Sequence, residues 1–366
     1  MLISKISITQ LKLFLVFFLS ILVATFIAIL FTQKIKIRPH SPNIDAELKA
    51  IQSNYKEVFL GIREKLLPIV RKFGIDGAFL IIEKALTQKL IDMDECHMLL
   101  HQLGHKAYTY LNKDFAKLTT YDSLYCVQSF QHGVEAQIVL DNDAVVAQNL
   151  QKYCSVLKEK NPGITCYHGA GHGLLQIKGN LSGALKGCDD FGSNIDTIPI
   201  YCYRGVFSEY ASRAMGYDTD TGKLVEGELP WKVDPQNPFL LCQTLEKKYQ
   251  ISCVSQFTKL VYKRKDMNSS ILRCVSKELP DWIMGECLKT IAGMDAQWQL
   301  VQSDQVILPL KILSLGKDLR QKYIEGVKEG FWTFKKSGIN KDWQFFCNSF
   351  TSGADVSFCH EFYHDL

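Results

Sequence analysis

Four short segments hold most of the residues in this chain that could do chemistry. The first, Cys96-His97-Met98-Leu99-Leu100-His101-Gln102-Leu103-Gly104-His105, sets three imidazoles at four-residue steps. The second runs from Cys126 to Glu135 and carries His132, Gly133 and Glu135. The third is Cys166-Tyr167-His168-Gly169-Ala170-Gly171-His172-Gly173, and the fourth, Cys202 to Glu209, ends on a carboxylate. Six of the nine histidines lie in the first three. Each segment opens on a cysteine and places His or Glu at a nearly fixed distance after it.

On a helix, residues four apart share a face, with a drift of about 40° per step. His101 with His105, and His168 with His172, are therefore pairs able to hold one ion. His132 and Glu135 share a face in the same way. The glycines around His168 and His172 each cost a helix roughly 1 kcal/mol against alanine. The close approach of a neighbouring helix or of a ligand is the usual compensation.

Imidazoles and carboxylates contributed by several helices are how helical proteins build interior metal sites. His101, His105, His132, His168 and His172 are the expected ligands, for a divalent transition metal of the Zn or Fe kind. Glu135 and Glu209 are the expected general bases. These ligands outnumber what one tetrahedral zinc needs, which leaves room for a second ion or for supporting acid–base groups. His97 reads as a hydrogen-bonded core residue, and Cys359-His360-Glu361 as structural. Glu209 could alternatively pair with Arg204 or Arg213. The spacing matches neither the His-Glu-x-x-His of zinc proteases, an Asp-rich calcium loop, nor a P-loop. Cys-x-x-Cys-His and Gly-x-Ser-x-Gly are also missing. The alternative reading is a disulfide-stapled helical-repeat scaffold or interaction protein without catalysis.

The elements that must position these residues read as helices. Val58, Ile62, Leu66, Ile69, Val70 and Phe73 make one apolar face. Gly74 ends that helix, Asp76 can cap the next, and Asp92 or Asp94 caps the helix with the first histidines. A unit of roughly 30–40 residues then repeats: a helix ends near a cysteine, a loop follows, and a second cysteine opens the next helix. Strand signals are scarce, and 218–237 is the one long loop, a flap or a surface insertion. The expected fold is all-α, with stacked helical hairpins in a repeat-like array, stapled by local disulfides and preceded by one N-terminal transmembrane helix. The expected division is a tail at 1–12, a signal anchor at 13–32, a linker at 33–50 and a helical domain at 51–366.

The twelve cysteines fall mostly into close pairs, Cys154/Cys166, Cys188/Cys202, Cys242/Cys253, Cys274/Cys287 and Cys347/Cys359, which leaves Cys96 and Cys126 as the sixth. Such spacing predicts local disulfides and an oxidising compartment. Residues 13–32 are uncharged and long enough to span a bilayer, and no small-x-small cleavage site follows them. Lys34, Lys36 and Arg38 after the span slightly favour a cytoplasmic C-terminal side. The cysteines outweigh them and place the domain outside the cytoplasm, periplasmic or extracellular, with the membrane as its one expected partner. A net charge of +4 is too weak for a nucleic-acid binder.

Overall fold

The computed structural model describes residues 43–121, 126, 128–141, 146–160, 166–191, 197–215, 233–234, 236–263, 265–302, 306–335, 346–350 and 352–361. By contact density the chain divides into Met1–Glu47 and Leu48–Leu366. Among the described residues every regular element is a helix. The 218–237 loop and the 13–32 segment lie almost wholly or wholly outside them. No described helix is long and apolar enough to cross a membrane.

Helix α1 (Ile44–Asn54) starts inside the expected linker. The Asn43 side chain accepts from the Ala46 amide and caps its first turn, so the helix begins seven residues before Ile51. Helix α2 (Val58–Thr87) buries Ile62, Leu66, Ile69 and Val70. Its backbone leaves the helical region at Gly74, where φ is 72°. Gly74 thus breaks the helix as its lack of a Cβ allows. Helical geometry resumes at once, so Asp76 falls within the next turn rather than at its cap. Helix α3 (Met93–Tyr110) opens on a capping box: the Asp92 carboxylate accepts from the Glu95 amide, and Glu95 accepts from the Asp92 amide.

From α3 onward, a packed series of helices, long for the most part, alternates with connecting helices that are mostly shorter. The packed series is α3, α5 (Ser129–Leu140), α7 (His168–Lys178), α9 (Thr197–Ala214), α11 (Lys247–Phe257), α13 (Asp281–Gln302) and α15 (Lys317–Lys335), and each packs on the next in that order. Between them run α4 (Phe115–Leu118), α6 (Val146–Lys160), α8 (Leu181–Phe191), α10 (Leu240–Thr244), α12 (Met267–Cys274) and α14 (Leu310–Leu313). A single 3-10 turn, Thr258–Leu260, follows α11, and α16 (Gly353–Glu361) closes the series against α15. All six expected disulfides are formed, Cys96–Cys126 included, with Cα–Cα distances of 5.5 to 5.9 Å. Four of them tie a connecting helix to the helix of the packed series that follows it. The cysteines mark helix starts less regularly than their spacing suggests. Cys126 and Cys166 stand just ahead of α5 and α7, but Cys202, Cys253 and Cys287 lie inside α9, α11 and α13.

Glycines set how closely the long helices cross. A Cβ on Gly133 would collide with the His101 carbonyl, one on Gly169 with the His132 carbonyl, and one on Gly205 with the His168 carbonyl. Gly104 faces the Phe130 carbonyl, Gly171 faces the Cys202 carbonyl, and Gly326 on α15 faces Lys289 on α13 in the same manner. Each crossing brings backbone against backbone, the arrangement small residues make possible between helices.

Alanine at Gly133 or Gly205 should therefore destabilise the fold by about 3 kcal/mol or more, since the obstructing atoms are main chain and cannot swing away. Gly285 in α13 would place its Cβ 3.4 Å from the flexible Lys322 side chain. Gly285→Ala should instead stabilise by about 0.5–1 kcal/mol. Urea titration of the three variants checks both signs.

Candidate functional site

The crossings carry the histidines with them. His132 and His168 each directly precede a crossing glycine, and His172 lies between Gly171 and Gly173. His101 lends its own carbonyl to the first crossing. Side chains beside a backbone contact must flank it, so imidazoles from α3, α5 and α7 meet in one place. Five rings close a circuit. Centroid separations are 6.4 Å for His97–His101, 5.0 Å for His101–His172, 5.1 Å for His172–His168, 4.4 Å for His168–His132 and 5.9 Å for His132–His97. His105 joins from outside, 5.1 Å from His101. All five expected histidines converge. His97, read from sequence as a core residue, belongs with them; its signal was the four-residue step to His101.

His101, His105, His132 and His172 are buried, whereas His97 and His168 keep partial exposure. Burial is the main cause that lowers the pKa of His97 to about 3, with the Lys259 and His172 charges adding to it. Burial likewise holds His101, His132 and His168 well below the ordinary histidine range, with neighbouring imidazoles assisting. These rings are therefore neutral, the form in which imidazole donates a lone pair.

Three hydrogen bonds then fix tautomers. His97 Nδ1 meets the Cys126 carbonyl at 3.0 Å, His105 Nδ1 meets Gln137 Oε1 at 3.1 Å, and His172 Nδ1 meets Glu209 Oε2 at 3.0 Å. Each partner atom only accepts, so each Nδ1 carries a proton, and in the neutral His97 ring Nε2 keeps its lone pair. His172 Nε2 and both ring nitrogens of His132 are buried with no hydrogen-bond partner among the described residues. A buried polar atom left so costs about 1–3 kcal/mol.

The two carboxylates diverge. Glu209, fully buried, orients His172 through one oxygen and accepts from Arg213 Nε at 2.7 Å through the other. The ion-pair reading of Glu209 is thus met with Arg213 as the partner, and the same carboxylate also contacts His172. Glu135, equally buried, turns away from the rings. Its Oε2 accepts from the Gly169 amide at 2.9 Å and so caps α7 from a neighbouring helix. Tyr167, the residue at the cap position of α7, has φ of 75° and provides no side-chain cap of its own. Burial raises the Glu135 carboxyl to about 8 against the lowering effect of the Gly169, Tyr167 and Ala170 amides. Lys259, on the 3-10 turn, donates to Ser208 Oγ at 2.9 Å, and its charge is felt at His97, His132 and His168. Neither Lys259 nor Ser208 stood out in the sequence, because neither sits in a histidine segment at a telling spacing.

The rings form a cluster of donors rather than a closed coordination sphere. Ligating nitrogens around one tetrahedral ion lie roughly 3.3 Å apart, given bonds of about 2.0–2.1 Å. Among the described residues, the one trio of ligand atoms within 4.8 Å of one another is Glu135, Cys154 and Cys166. Those two sulfurs are joined in a disulfide and are not ligands. His360, near the C-terminus, bonds Asn348 and plays no part. A cavity of about 520 Å³ lies elsewhere, lined by residues that include Trp282, Glu286, Lys289 and Lys322, and shares no residue with the imidazole ring. Comparison with known protein families, curated proteins and solved structures finds no match to this chain.

The four depressed histidines make acid the weakness of the metal-free fold. Their folded pKa values lie below the ordinary 6.5, so their contribution is complete above that pH and is lost as the unfolded chain takes up protons below it. Glu135, raised to about 8, Asp295, raised to about 6, and the raised Glu95 and Glu286 carboxyls act oppositely and offset part of that loss. The histidine contribution to the unfolding free energy should fall between about pH 6.5 and about pH 5, and His132→Leu should flatten that slope by about one proton. Denaturant titrations across this range measure it.

Proposed function

We propose that the imidazole ring is a binding centre for a divalent transition metal, of the Zn or Fe kind, and that the metal supports hydrolytic or oxidative chemistry. The observation that carries this reading is His132, whose two buried ring nitrogens meet no partner inside a circuit of neutral imidazoles. The tautomers support it. Metal-ligating histidines characteristically donate the other ring N–H to a carboxylate or carbonyl, which orients the ring and raises its basicity. His172 on Glu209 and His97 on the Cys126 carbonyl have that form. A shared ion would require the buried imidazoles to rotate from the present spacing to ligand spacing. Such an ion supplies Lewis acidity and an activated water at neutral pH. Glu209 then serves as the orienting carboxylate, and Glu135, committed to the α7 amides, is a poorer base than its place beside His132 suggests.

The compartment reading rests on the cysteines. Twelve bridged thiols suit an oxidising environment, and a 13–32 anchor would tether the helical domain there, at the membrane. The scaffold alternative keeps one observation in its favour: both buried carboxylates have structural work, Glu135 as a cap and Glu209 as an ion-pair partner.

Elemental analysis of the purified full-length protein with its disulfides formed, followed by Zn and Co titration, separates the readings. Near-stoichiometric metal in the parent protein is expected, with loss of it in His132→Ala and His172→Ala and an unchanged far-UV CD spectrum. Glu209→Gln should weaken the metal by about 10–100-fold. Absence of saturable metal binding, or full binding by both histidine variants, would leave the scaffold reading standing.

A further inference from the structure

The imidazole ring has one open side, and a cation stands on it. His101, His105, His132 and His172 are buried, while the ring members that keep partial exposure are His97 and His168. Lys259 shares that partial exposure, and its charge is felt at both of these histidines. These three side chains therefore frame the mouth. Ser208, buried beside Glu209 in sequence, holds the Lys259 ammonium by a 2.9 Å hydrogen bond from Nζ to Oγ. That hydroxyl fixes the ammonium's position without neutralising it. Among the described residues Lys259 forms no ion pair; Asp94, one turn before His97, acts on it only at longer range. Burial works against the ammonium charge, and Asp94 works to retain it.

The charge count points one way. His97, His101, His132 and His168 are held neutral, and Glu209 is already matched by Arg213 at 2.7 Å. Lys259 adds one positive charge, and a bound divalent ion would add two. Positive charges brought together in a partly dehydrated mouth repel strongly unless an anion lies between them. The protein's own carboxylates do not reach that position: Glu135 faces the α7 amides, and Glu209 is engaged by His172 and Arg213.

We infer that Lys259 and Ser208 form an oxyanion-binding subsite at the mouth of the imidazole ring, so that the ligand or substrate admitted there carries a phosphate or carboxylate group. Lys259 provides a compact point charge with three donors, suited to the oxygens of such a group, and Ser208 offers a second donor once the anion displaces it as the acceptor. The group would bridge Lys259 and the ring centre, which sets both its orientation and its depth. The subsite deepens the metal reading but can be tested apart from it.

The experiment is isothermal titration of the full-length protein with inorganic phosphate and, separately, with acetate, with metal content measured on the same samples and chloride as the ionic-strength control. Lys259→Met removes the charge at similar length, and Lys259→Arg restores it. Saturable binding of phosphate or acetate by the parent is expected, weakened at least 10-fold in Lys259→Met and recovered in Lys259→Arg. Tighter phosphate than acetate binding would assign the phosphate class, and the reverse the carboxylate class. Should metal fail to load while an anion still binds through Lys259, the subsite stands and the metal reading falls. Should metal load while neither anion binds, or should Lys259→Met bind as the parent does with its CD spectrum unchanged, the subsite is overturned alone.

Discussion

Backbone-to-backbone contact between successive long helices is the constraint from which the rest of this structure follows. At Gly133, Gly169 and Gly205 the main chain of one helix lies directly on a carbonyl of its neighbour, and any side chain there would force the pair apart. Contacts this close shorten the distance across which flanking side chains must reach. Imidazoles are short. On helices held at ordinary separation by Leu or Ile, rings borne on α3, α5 and α7 could not all meet, yet here five of them close a circuit. The glycines lower local helix propensity, and the loss is offset by the packing they permit and by the centre they assemble.

The same closeness fixes the electrostatics. A dehydrated imidazole is held neutral, and several together hold one another neutral, because a proton on one raises the cost of a proton on the next. Hydrogen bonds from the Nδ1 atoms of His97, His105 and His172 run to atoms that only accept, and in the neutral His97 ring this leaves a lone pair on Nε2. Charge is kept to the edge of the cluster: Glu209 with Arg213 behind His172, and Lys259 at the mouth. Neutral imidazoles thus lie within, and compensated or positive groups lie at the border.

Much of this was legible in the sequence, and the failures have physical causes. The helical periodicity and the disulfide pairing follow from spacing; the same spacing narrows the cap to Asp92 or Asp94, and implies that the histidines meet provided the repeated units are equivalent. The register of the repeat does not follow from it. Counting from the cysteines aligns His132 with His172, whereas the crossings align His132 with His168, since each precedes the glycine that receives the neighbouring helix. The cysteines stand at different distances from the helix starts, whereas each crossing glycine lies directly on a neighbouring carbonyl, so glycine rather than cysteine keeps the register. Glu135 shares a face with His132 as the spacing implies, but spacing within one helix does not reveal that its Oε2 accepts from the Gly169 amide of α7. Lys259 could not be found, because it reaches the site from a turn beyond α11, outside the units that carry the histidines.

The disulfides have a consequence for how the chain is made. Every bridge joins a cysteine to the next one in sequence: Cys96 to Cys126, Cys154 to Cys166, and so on to Cys347 with Cys359. Twelve cysteines allow thousands of pairings, but a chain that enters an oxidising compartment N-terminus first presents its thiols in the order in which they are to be joined. An oxidase that links each newly exposed thiol to the last free one produces the native set directly, with no call for an isomerase to undo crossed bridges. Stepwise export and oxidation would then build the helical series one staple at a time, and the three histidine helices would be complete before the C-terminal half had emerged.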